Sequence, residues 1–260
     1  MLILLPPSEG KDSPVRGRPL SMADLSFPAL TAAREAVAAA LVRLCDGPAA
    51  KARATLGITA RQEEELRRNR ALLTAPAAPA AQIYSGVLYD ALDLATLPAR
   101  PARRATTDIA IASALFGLLR ITDRIPAYRL SGDTSLPGVG RLAAAWREPI
   151  GQAIAETAGS GVVLDLRSSA YVALGPVPAE LSQRTAVARV LQERGGRRTV
   201  VSHHNKATKG RMVRSLLAQP RPKTIPDLAG ILGASGHRVE LQPPVQDGLP
   251  WTIDVVVSEV

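Results

Sequence analysis

Apolar residues occur along this chain in two spacings, as short uninterrupted runs and as longer stretches with helical periodicity. Residues 1–5 form an apolar run that stops at Pro6-Pro7, which predicts a buried strand entering a loop. Residues 161–166, 198–202 and 253–257 are further apolar or β-branched runs that predict strands. Residues 27–44, 142–157 and 209–217 have the spacing of helices. Because strands alternate with helices, the pattern predicts an α/β fold, with α+β as the alternative.

Two segments give less decisive patterns. Residues 107–112 favour a strand and residues 113–120 favour the start of a helix, so both interpretations are kept. Residues 75–81 are a Pro-Ala stretch that predicts a surface loop. No fixed-period repeat or domain boundary is visible, and we expect residues 1–260 to form a single domain.

Residues 49–73 have the pattern of two short helices broken at Gly57, where glycine permits a tight turn and Thr59 can cap the next helix. A helix-hairpin-helix element has this shape and can aim backbone amides at the phosphates of one nucleic-acid strand. Ordinary helical bundles contain the same helix-glycine-helix pattern. The pattern alone leaves both interpretations open.

The charge of the chain is concentrated in one segment. The formal net charge is +9 with a pI near 10.4, which favours a polyanionic partner. Residues 184–223 contain eleven Lys or Arg and one acidic residue, Glu193, so the rest of the chain sums to minus one. Apolar stretches interrupt this basic segment, which indicates folded structure rather than a solvated arm.

Composition excludes several classes of protein. Hydrophobic residues make up 46% and charged residues 21%, as in globular domains, and no apolar run approaches the roughly 18 residues of a membrane span. Cys45 is the single cysteine and the histidines have no metal-site spacing, so we expect no disulfide, metal or cofactor. These features predict a cytoplasmic protein without membrane contact.

The loop after the first strand carries a candidate anion-binding lysine. Its sequence, Pro6-Pro-Ser-Glu-Gly-Lys11, lacks the first glycine of a phosphate-binding P-loop, and Asp12 stands where that motif has Ser or Thr. Ser8 and Lys11 have the Ser-x-x-Lys spacing of penicillin-binding enzymes, without the companion motifs. What remains is a lysine at the end of a strand, where α/β proteins form ligand clefts.

Two further segments place aromatic residues beside candidate ligands. Tyr84 is the better surface candidate of its segment, and Tyr89 is expected to fill the core. Arg129 follows Tyr128 and a proline turn, so its guanidinium is expected to be held for bidentate recognition of phosphate or carboxylate. Arg120 and Asp123 have the spacing of a local ion pair.

A final pair of segments follows two predicted strands. One contains Asp165, Arg167, Ser168 and Ser169, and the other runs from Ser202 to Arg211. Adjacent histidines on a strand face opposite ways, so His203 and His204 are not expected to hold one metal together. The cations of the second segment surround a glycine just before a predicted helix, where amides and the helix dipole favour an anion.

Taken in order, these motifs resemble the YaaA peroxide stress family over nearly the whole chain. The resemblance rests on residues 1–11, 84–89, 115–129, 164–171 and 202–211. It implies a compact α/β fold with a mixed sheet, a helix-hairpin-helix at 49–73, a positively charged cleft, DNA binding and a cytosolic role in limiting iron-driven oxidative damage. Lys11 and the Tyr128-Arg129 pair match the family pattern by position. His203-His204 stand where the family has an aromatic pair, and Asn205 where a small residue is common.

The leading hypothesis is a monomeric stress protein that binds DNA or another phosphate-rich ligand with little sequence specificity. The expected ligand-binding residues are Lys11, Gly57, Thr59, Tyr84, Arg120, Tyr128, Arg129, Arg167, Ser168, Ser169, His204, Asn205, Lys206, Lys209 and Arg211.

The alternative is an enzyme acting on a nucleotide, nucleobase or phosphorylated small molecule in the same cleft. Its candidate catalytic residues are Ser8, Lys11, Asp165 and His203. A third hypothesis, a binding protein for iron or for an acidic protein, lacks a recognisable ligand motif.

Overall fold

A computed structural model describes residues 1–194, 197–200 and 203–258. Ten α-helices lie within this described part of the chain: α1 Thr31–Asp46, α2 Ala49–Leu56, α3 Glu63–Arg70, α4 Ala80–Ile83, α5 Val87–Leu92, α6 Ala99–Asp108, α7 Leu142–Ala158, α8 Ser169–Leu174, α9 His203–Ala218 and α10 Ile225–Ala234. Short 3-10 helices cover Met22–Asp24, Pro28–Leu30, Ala60–Gln62, Leu94–Thr96 and Ala179–Arg184.

The strands of the described residues form one large mixed sheet and two small two-stranded pairs. Their bounds are β1 Leu2–Leu5, β2 Ala78–Pro79, β3 Ile109–Ser113, β4 Gly117–Leu119, β5 Arg124–Ile125, β6 Ser135–Leu136, β7 Gly140–Arg141, β8 Val163–Asp165, β9 Thr185–Arg194, β10 Arg197–Val200, β11 Arg238–Gln242 and β12 Trp251–Ser258. The large sheet has eight strands in the order β11-β12-β9-β8-β1-β3-β4, with β10 paired to β9. This confirms the α/β prediction.

The centre of the sheet is parallel and its edges are antiparallel. Strand β1 pairs in parallel with β3 and β8, and β9 pairs in parallel with β8 and β12. Strands β4 and β11 close the two edges in antiparallel pairs. All four residues of β1 are fully buried, as expected for a strand covered on both faces. The carboxyl ends of β8, β1 and β3 therefore lie side by side, at the edge where α/β folds build sites.

Residues 113–120 form a turn and the strand β4, so the prediction of a helix there was wrong. The Ser113 hydroxyl accepts hydrogen bonds from the main-chain amides of Leu115 (3.2 Å) and Phe116 (3.0 Å), which tightens the turn. Gly117 then takes a φ of 72°, and a Cβ at that position would lie 2.8 Å from the Trp146 ring. Glycine therefore lets the chain reverse against a buried tryptophan.

Two other segments also differ from the sequence prediction. Residues 75–81 are not a surface loop, because they include β2 and the start of α4, and Ala77 and Ala80 are fully buried. Residues His203 and His204 belong to the first turn of α9, whereas the sequence pattern placed them at a strand end. Residues 201–202 and the side chains of both histidines lie outside the described residues.

Candidate functional site

A cavity of about 600 Å³ opens at the carboxyl ends of β1 and β8. The loop after β1 forms one wall, α5 and the residues before it a second, and the first turns of α9 a third. Its lining residues are Pro6, Pro7, Ser8, Glu9, Gly10, Lys11, Ser85, Gly86, Val87, Leu88, Tyr89, Arg129, Leu130, Ser131, Leu166, Ser168, Tyr171, Asn205, Lys206 and Lys209. Segments that are far apart in the sequence thus meet around one concave surface.

The cavity brings together four cationic residues that were predicted as ligands. Lys11, Arg129, Lys206 and Lys209 all contribute to the lining. Among the described lining residues the one acid is Glu9, whose side chain is exposed. The formal charge of the lining is therefore positive, and inside a concave surface that charge is screened less than on an open one.

Lys11 is fixed in the cavity wall by its main chain and by its ammonium group. Its backbone forms a β-bridge with Tyr84, and its Nζ donates to the carbonyl oxygens of Ser8 (2.9 Å) and Glu9 (3.4 Å). The Nζ also lies 4.5 Å from the centroid of the Tyr128 ring, a cation–π distance. Burial, and after it the charge of Arg129, lowers the pKa of Lys11 to about 8.

Arg129 is held by its main chain while part of its guanidinium has no partner. The Asn69 amide group on α3 donates to the Arg129 carbonyl (2.9 Å) and accepts from the Arg129 amide (2.9 Å). The Nε of Arg129 is buried, and among the described residues nothing accepts its hydrogen bond. Asn205 Oδ1 is likewise buried without a partner in the part of the chain described. Since buried polar groups are normally paired, both residues leave unused hydrogen-bonding capacity in the cavity lining.

Helix α9 contributes the other two cations from one face. Lys206 and Lys209 are three residues apart, so their side chains lie on the same side of the helix. The Lys209 Nζ donates to the Leu166 carbonyl (3.2 Å), and burial lowers its pKa. Lys206 is exposed. Arg211 projects elsewhere, because it is exposed, lies within 3.5 Å of Thr208 Oγ1 and is absent from the described lining.

The basic cluster therefore lies inside α9, and the expectation that it precedes a helix was wrong. The glycine of this cluster, Gly210, has a packing role. A Cβ there would collide with the Leu88 carbonyl and would lie 2.9 Å from the Leu92 amide nitrogen. Glycine thus allows α9 to lie directly against α5, which places Lys206 and Lys209 beside the second wall of the cavity.

Tyrosine side chains form a buried layer beneath Lys11. The hydroxyl groups of Tyr84 and Tyr128 are 2.9 Å apart, and the Tyr128 hydroxyl is 2.7 Å from Ser113 Oγ at the end of β3. Burial raises the pKa of both tyrosines far above neutral pH, so both remain protonated. The expectation of a surface Tyr84 was wrong, whereas the interior position expected for Tyr89 is confirmed: its hydroxyl donates to the Pro6 carbonyl (2.7 Å).

A second, smaller cavity of about 480 Å³ adjoins the first through Arg129 and Ser131. Its remaining lining residues are Ala54, Thr55, Leu56, Gly57, Asp133, Thr134 and Ser135. Gly57 has a left-handed backbone (φ 62°), and Thr59 forms a capping box with Gln62. The turn of residues 56–59 follows α2 and leads through a short 3-10 helix into α3. Leu56, Gly57 and Arg129 line the same cavity, so this turn lies beside Arg129. That the turn is a DNA-binding element stays a prediction.

Asp165 and Arg167 neutralise each other, which removes them from the candidate ligands and catalytic groups. The Arg167 guanidinium donates to the Asp165 carboxylate at 2.9 and 2.7 Å and to the Gly175 carbonyl at 2.8 Å. The Arg167 side chain is 0% exposed and the Asp165 side chain is 3% exposed. This pair holds the loop after β8 and leaves neither charge for a ligand.

Three further candidates have other partners or positions. Arg120 donates to the main-chain carbonyls of Thr107 (2.6 Å) and Ile109 (2.9 Å) and lies over the Phe27 ring. Ser8 donates its hydroxyl proton to the Gly10 carbonyl and accepts a hydrogen bond from the Ser85 amide, so in the described residues this proton is bound to a carbonyl rather than to a side-chain base. Ser169 is exposed at the start of α8 and does not contribute to the described cavity lining, whereas Ser168 does.

Sequence reasoning missed Asn69, Ser131 and Tyr171. Tyr171 lines the cavity, and Ser131 lines both cavities. Asn69 is fully buried on a helix that is otherwise rich in charge. Its position three residues after the buried Leu66 marks it as an inward-facing polar residue, and that spacing could have found it.

Comparison with known proteins places the chain in a family. A family model described as "Peroxide stress protein YaaA" matches residues 1–240. The chain belongs to the YaaA peroxide stress protein family. A UPF0246 protein of Streptomyces coelicolor is 52% identical over 261 residues, which cover 100% of both chains. UPF0246 proteins of Corynebacterium glutamicum strain R and Corynebacterium efficiens are 44% and 41% identical, over 97% and 99% of this chain and all of theirs.

Two features are absent from the described residues of this YaaA-family chain. Among its described helices none combines the length and the apolar character needed to cross a membrane. No group of three or more His, Cys, Asp or Glu residues with the geometry of a metal site occurs in the same part of the chain.

Proposed function

We propose that this YaaA-family protein binds DNA, or another phosphate-rich ligand, in the larger cavity, as a cytoplasmic monomer and with little sequence specificity. One observation carries the proposal: Lys11, Arg129, Lys206 and Lys209 line a single cavity in which Glu9 is the only acid of the described lining. Positively charged clefts of this kind attract phosphate because neutralising a phosphate releases its condensed counterions.

The unpaired polar atoms support the same proposal. Arg129 Nε is buried without an acceptor among the described residues, and such a group is costly unless a ligand satisfies it. A phosphate oxygen is a strong, charged acceptor for a guanidinium N–H. The Asn69 contacts keep the Arg129 main chain in place, so a bound phosphate would meet a preorganised arginine.

Continuity with the second cavity favours an extended ligand over a single phosphate. Arg129 and Ser131 line both cavities, and the second reaches the turn at Gly57. A Cβ at Gly57 would meet no atom within 4 Å, so the main chain of this turn is open to its surroundings. A polyanion lying across Arg129 would reach both the turn and the cations of α9. Contacts of this type go to phosphates and position a duplex without reading its bases.

The test is a titration of a short duplex with the full chain at several salt concentrations. The logarithm of the affinity should fall linearly with the logarithm of the salt concentration, with a slope of about −0.9 for each phosphate neutralised. Lys206→Ala should weaken binding and make the slope less steep by about one unit. Arg211→Ala is the matched control, since it removes a cation from the same helix but outside the described cavity lining.

Equal effects of the two variants would contradict the proposal, because they would show that only overall charge matters. Binding that is indifferent to salt, or absent at low salt, would also contradict it.

A second candidate function is an enzyme that acts on a nucleotide, nucleobase or phosphorylated small molecule in this cavity. The pKa of about 8 at Lys11 favours it, since shifts of this kind cluster at reactive sites. Thermal stabilisation by a sugar phosphate or nucleotide, and none by a non-phosphorylated analogue, would support this function. Stabilisation by oligonucleotides alone would count against it.

A further inference from the structure

Lys11 has the surroundings of a reactive amine rather than of a simple charged anchor. Its Nζ is held by two main-chain carbonyls and lies over an aromatic ring. None of the ion pairs found among the described residues includes Lys11. A lysine without a carboxylate partner, in a partly desolvated wall, is the type that enzymes use as a nucleophile.

Some of the charged groups around Lys11 lower its pKa and others raise it. Burial has the largest effect and disfavours the ammonium form, and the charge of Arg129 acts in the same direction, whereas Glu65 and Glu9 favour the ammonium form. The hydroxyls of Tyr84 and Tyr128 remain protonated, so they add no negative charge beneath the amine. The net pKa of about 8 leaves a substantial neutral fraction near pH 7.5, where an ordinary lysine has about one part in a thousand.

The remaining cavity lining indicates what the amine would meet. Arg129, Lys206 and Lys209 suit a phosphate, whereas Tyr89, Leu166 and Tyr171 form an apolar and aromatic part of the wall. A ligand that carries both a phosphate and a group that reacts with an amine would contact the cations and the apolar part of the wall at the same time. Of common biological electrophiles, an aldehyde reacts reversibly with an amine without any activation by a cofactor.

We propose that Lys11 forms an imine with a phosphate-bearing aldehyde, such as open-chain 2-deoxyribose phosphate, whose phosphate is held by Arg129 and the α9 lysines. This proposal rests on the proposed anion-binding function, because the same cations would hold the phosphate of the aldehyde. The aldehyde has two sources with the same chemistry, a free sugar phosphate and a duplex that has lost a base.

The reaction is balanced by water alone. The lone pair of neutral Nζ attacks the carbonyl carbon, and the carbonyl π electrons move to the oxygen, which takes a proton. The resulting carbinolamine carries a hydroxyl group, which accepts the second proton lost from nitrogen; the C–O bond then breaks, and water leaves as the nitrogen lone pair forms the C=N bond. Amine and aldehyde thus give imine and water, with no oxidant or reductant.

The test traps this imine on the wild-type full chain. The protein is incubated near neutral pH with 2-deoxyribose 5-phosphate and cyanoborohydride, and the modified residue is located by peptide mass mapping. Reduction adds the mass of the aldehyde less one oxygen atom. Lys11 should be modified more than about tenfold faster than Lys206, the exposed lysine of the same cavity, because burial leaves a substantial fraction of the Lys11 Nζ neutral. Label spread evenly over the lysines, or absent from Lys11, would overturn the proposal.

Two controls, an unphosphorylated sugar and a substitution of Lys11, separate the parts of the proposal. Unphosphorylated 2-deoxyribose should label Lys11 more slowly than 2-deoxyribose 5-phosphate does. Equal labelling by the two sugars would contradict phosphate recognition in the cavity and with it the anion-binding function. Lys11→Arg removes the amine and should abolish the trapped product, whereas trapping that persists at other lysines would contradict the assignment to Lys11. No label on Lys11 despite normal duplex binding would refute the imine alone.

A final comparison distinguishes the two sources of aldehyde. Covalent trapping of a duplex with an abasic site, at concentrations where the free sugar phosphate reacts little, would identify damaged DNA as the source. The reverse preference would identify the free sugar phosphate.

Discussion

At the scale of single residues, the charge state of Lys11 decides how the cavity behaves with pH. Its pKa of about 8 lies below the ordinary value, so the cavity loses one positive charge as pH rises through 8. A bound phosphate favours the ammonium form and must raise that pKa, and by linkage phosphate affinity must fall over the same range.

We therefore expect the ε-carbon resonance of Lys11, followed by NMR in protein with ¹³C-labelled lysine, to titrate with a midpoint near 8. Adding inorganic phosphate should move the midpoint upward. Lys11→Arg identifies the resonance. A midpoint near the ordinary value of about 10.4, unmoved by phosphate, would contradict the description of this lysine.

The Asp165–Arg167 pair gives a second prediction, because its role is structural. Asp165→Asn leaves a buried guanidinium without its counter-charge and should lower the free energy of unfolding by about 3 to 5 kcal/mol, measured by urea denaturation. Glu64→Gln is the matched control: it breaks an exposed pair with Arg67 and should change stability by less than about 1 kcal/mol. A stable Asp165→Asn protein with lost ligand binding would instead restore Asp165 as a functional group.

The sequence predicted the cavity cations better than it predicted their surroundings. Lys11 and Arg129 follow recognisable strand-end and turn patterns, so they could be identified directly. Arg167 could not be separated from them, since its neutralising partner is two residues away and the loop between them had to fold first. Tyr84 was misplaced because nothing in its own segment shows that Tyr128 covers it.

At the scale of elements, the contact between α5 and α9 shapes the cavity. Gly210 makes that contact close, and the helix that carries Lys206 and Lys209 is positioned by it. The sequence predicted only the second half of α9, because the polar residues 203–208 before it resemble a loop. Tertiary packing against α5 overrides that local preference.

Gly210→Ala should therefore destabilise the protein by about 1 to 3 kcal/mol, since the added Cβ forces α9 away from the Leu88 carbonyl. Gly230→Ala in α10 is the control: its Cβ would meet nothing within 4 Å, and alanine is the better helix former. Thermal unfolding of the two variants measures the difference. Equal melting temperatures would show that the helices are not closely packed.

At the scale of the whole molecule, several arginines of the basic segment have structural partners. The basic segment of residues 184–223 carries the excess of positive charge, yet four of its described arginines bind groups of the protein itself. Arg189 pairs with Asp254, Arg198 with Glu193 and Glu240, Arg214 with the Leu92 carbonyl, and Arg221 with Asp108. Of this segment, Lys206 and Lys209 are the cations found in the described cavity lining. Net charge alone could not show which cations remain for a ligand.

The order of the sheet is also a property of the whole chain. Local patterns predicted strands β1, β8, β10 and β12, but pairing of β1 between β3 and β8 depends on contacts over more than a hundred residues. That pairing aligns the strand ends and creates the cavity. We propose that a phosphate binds at these aligned strand ends.

The most direct test is a crystal structure of the full chain with a short duplex bound. We predict a phosphate oxygen in the larger cavity, at a hydrogen-bond distance of about 2.7 to 3.2 Å from Arg129 Nε, with Lys206 or Lys209 close to the same phosphate. A duplex bound on another surface, with Arg129 Nε still without an acceptor, would contradict the account.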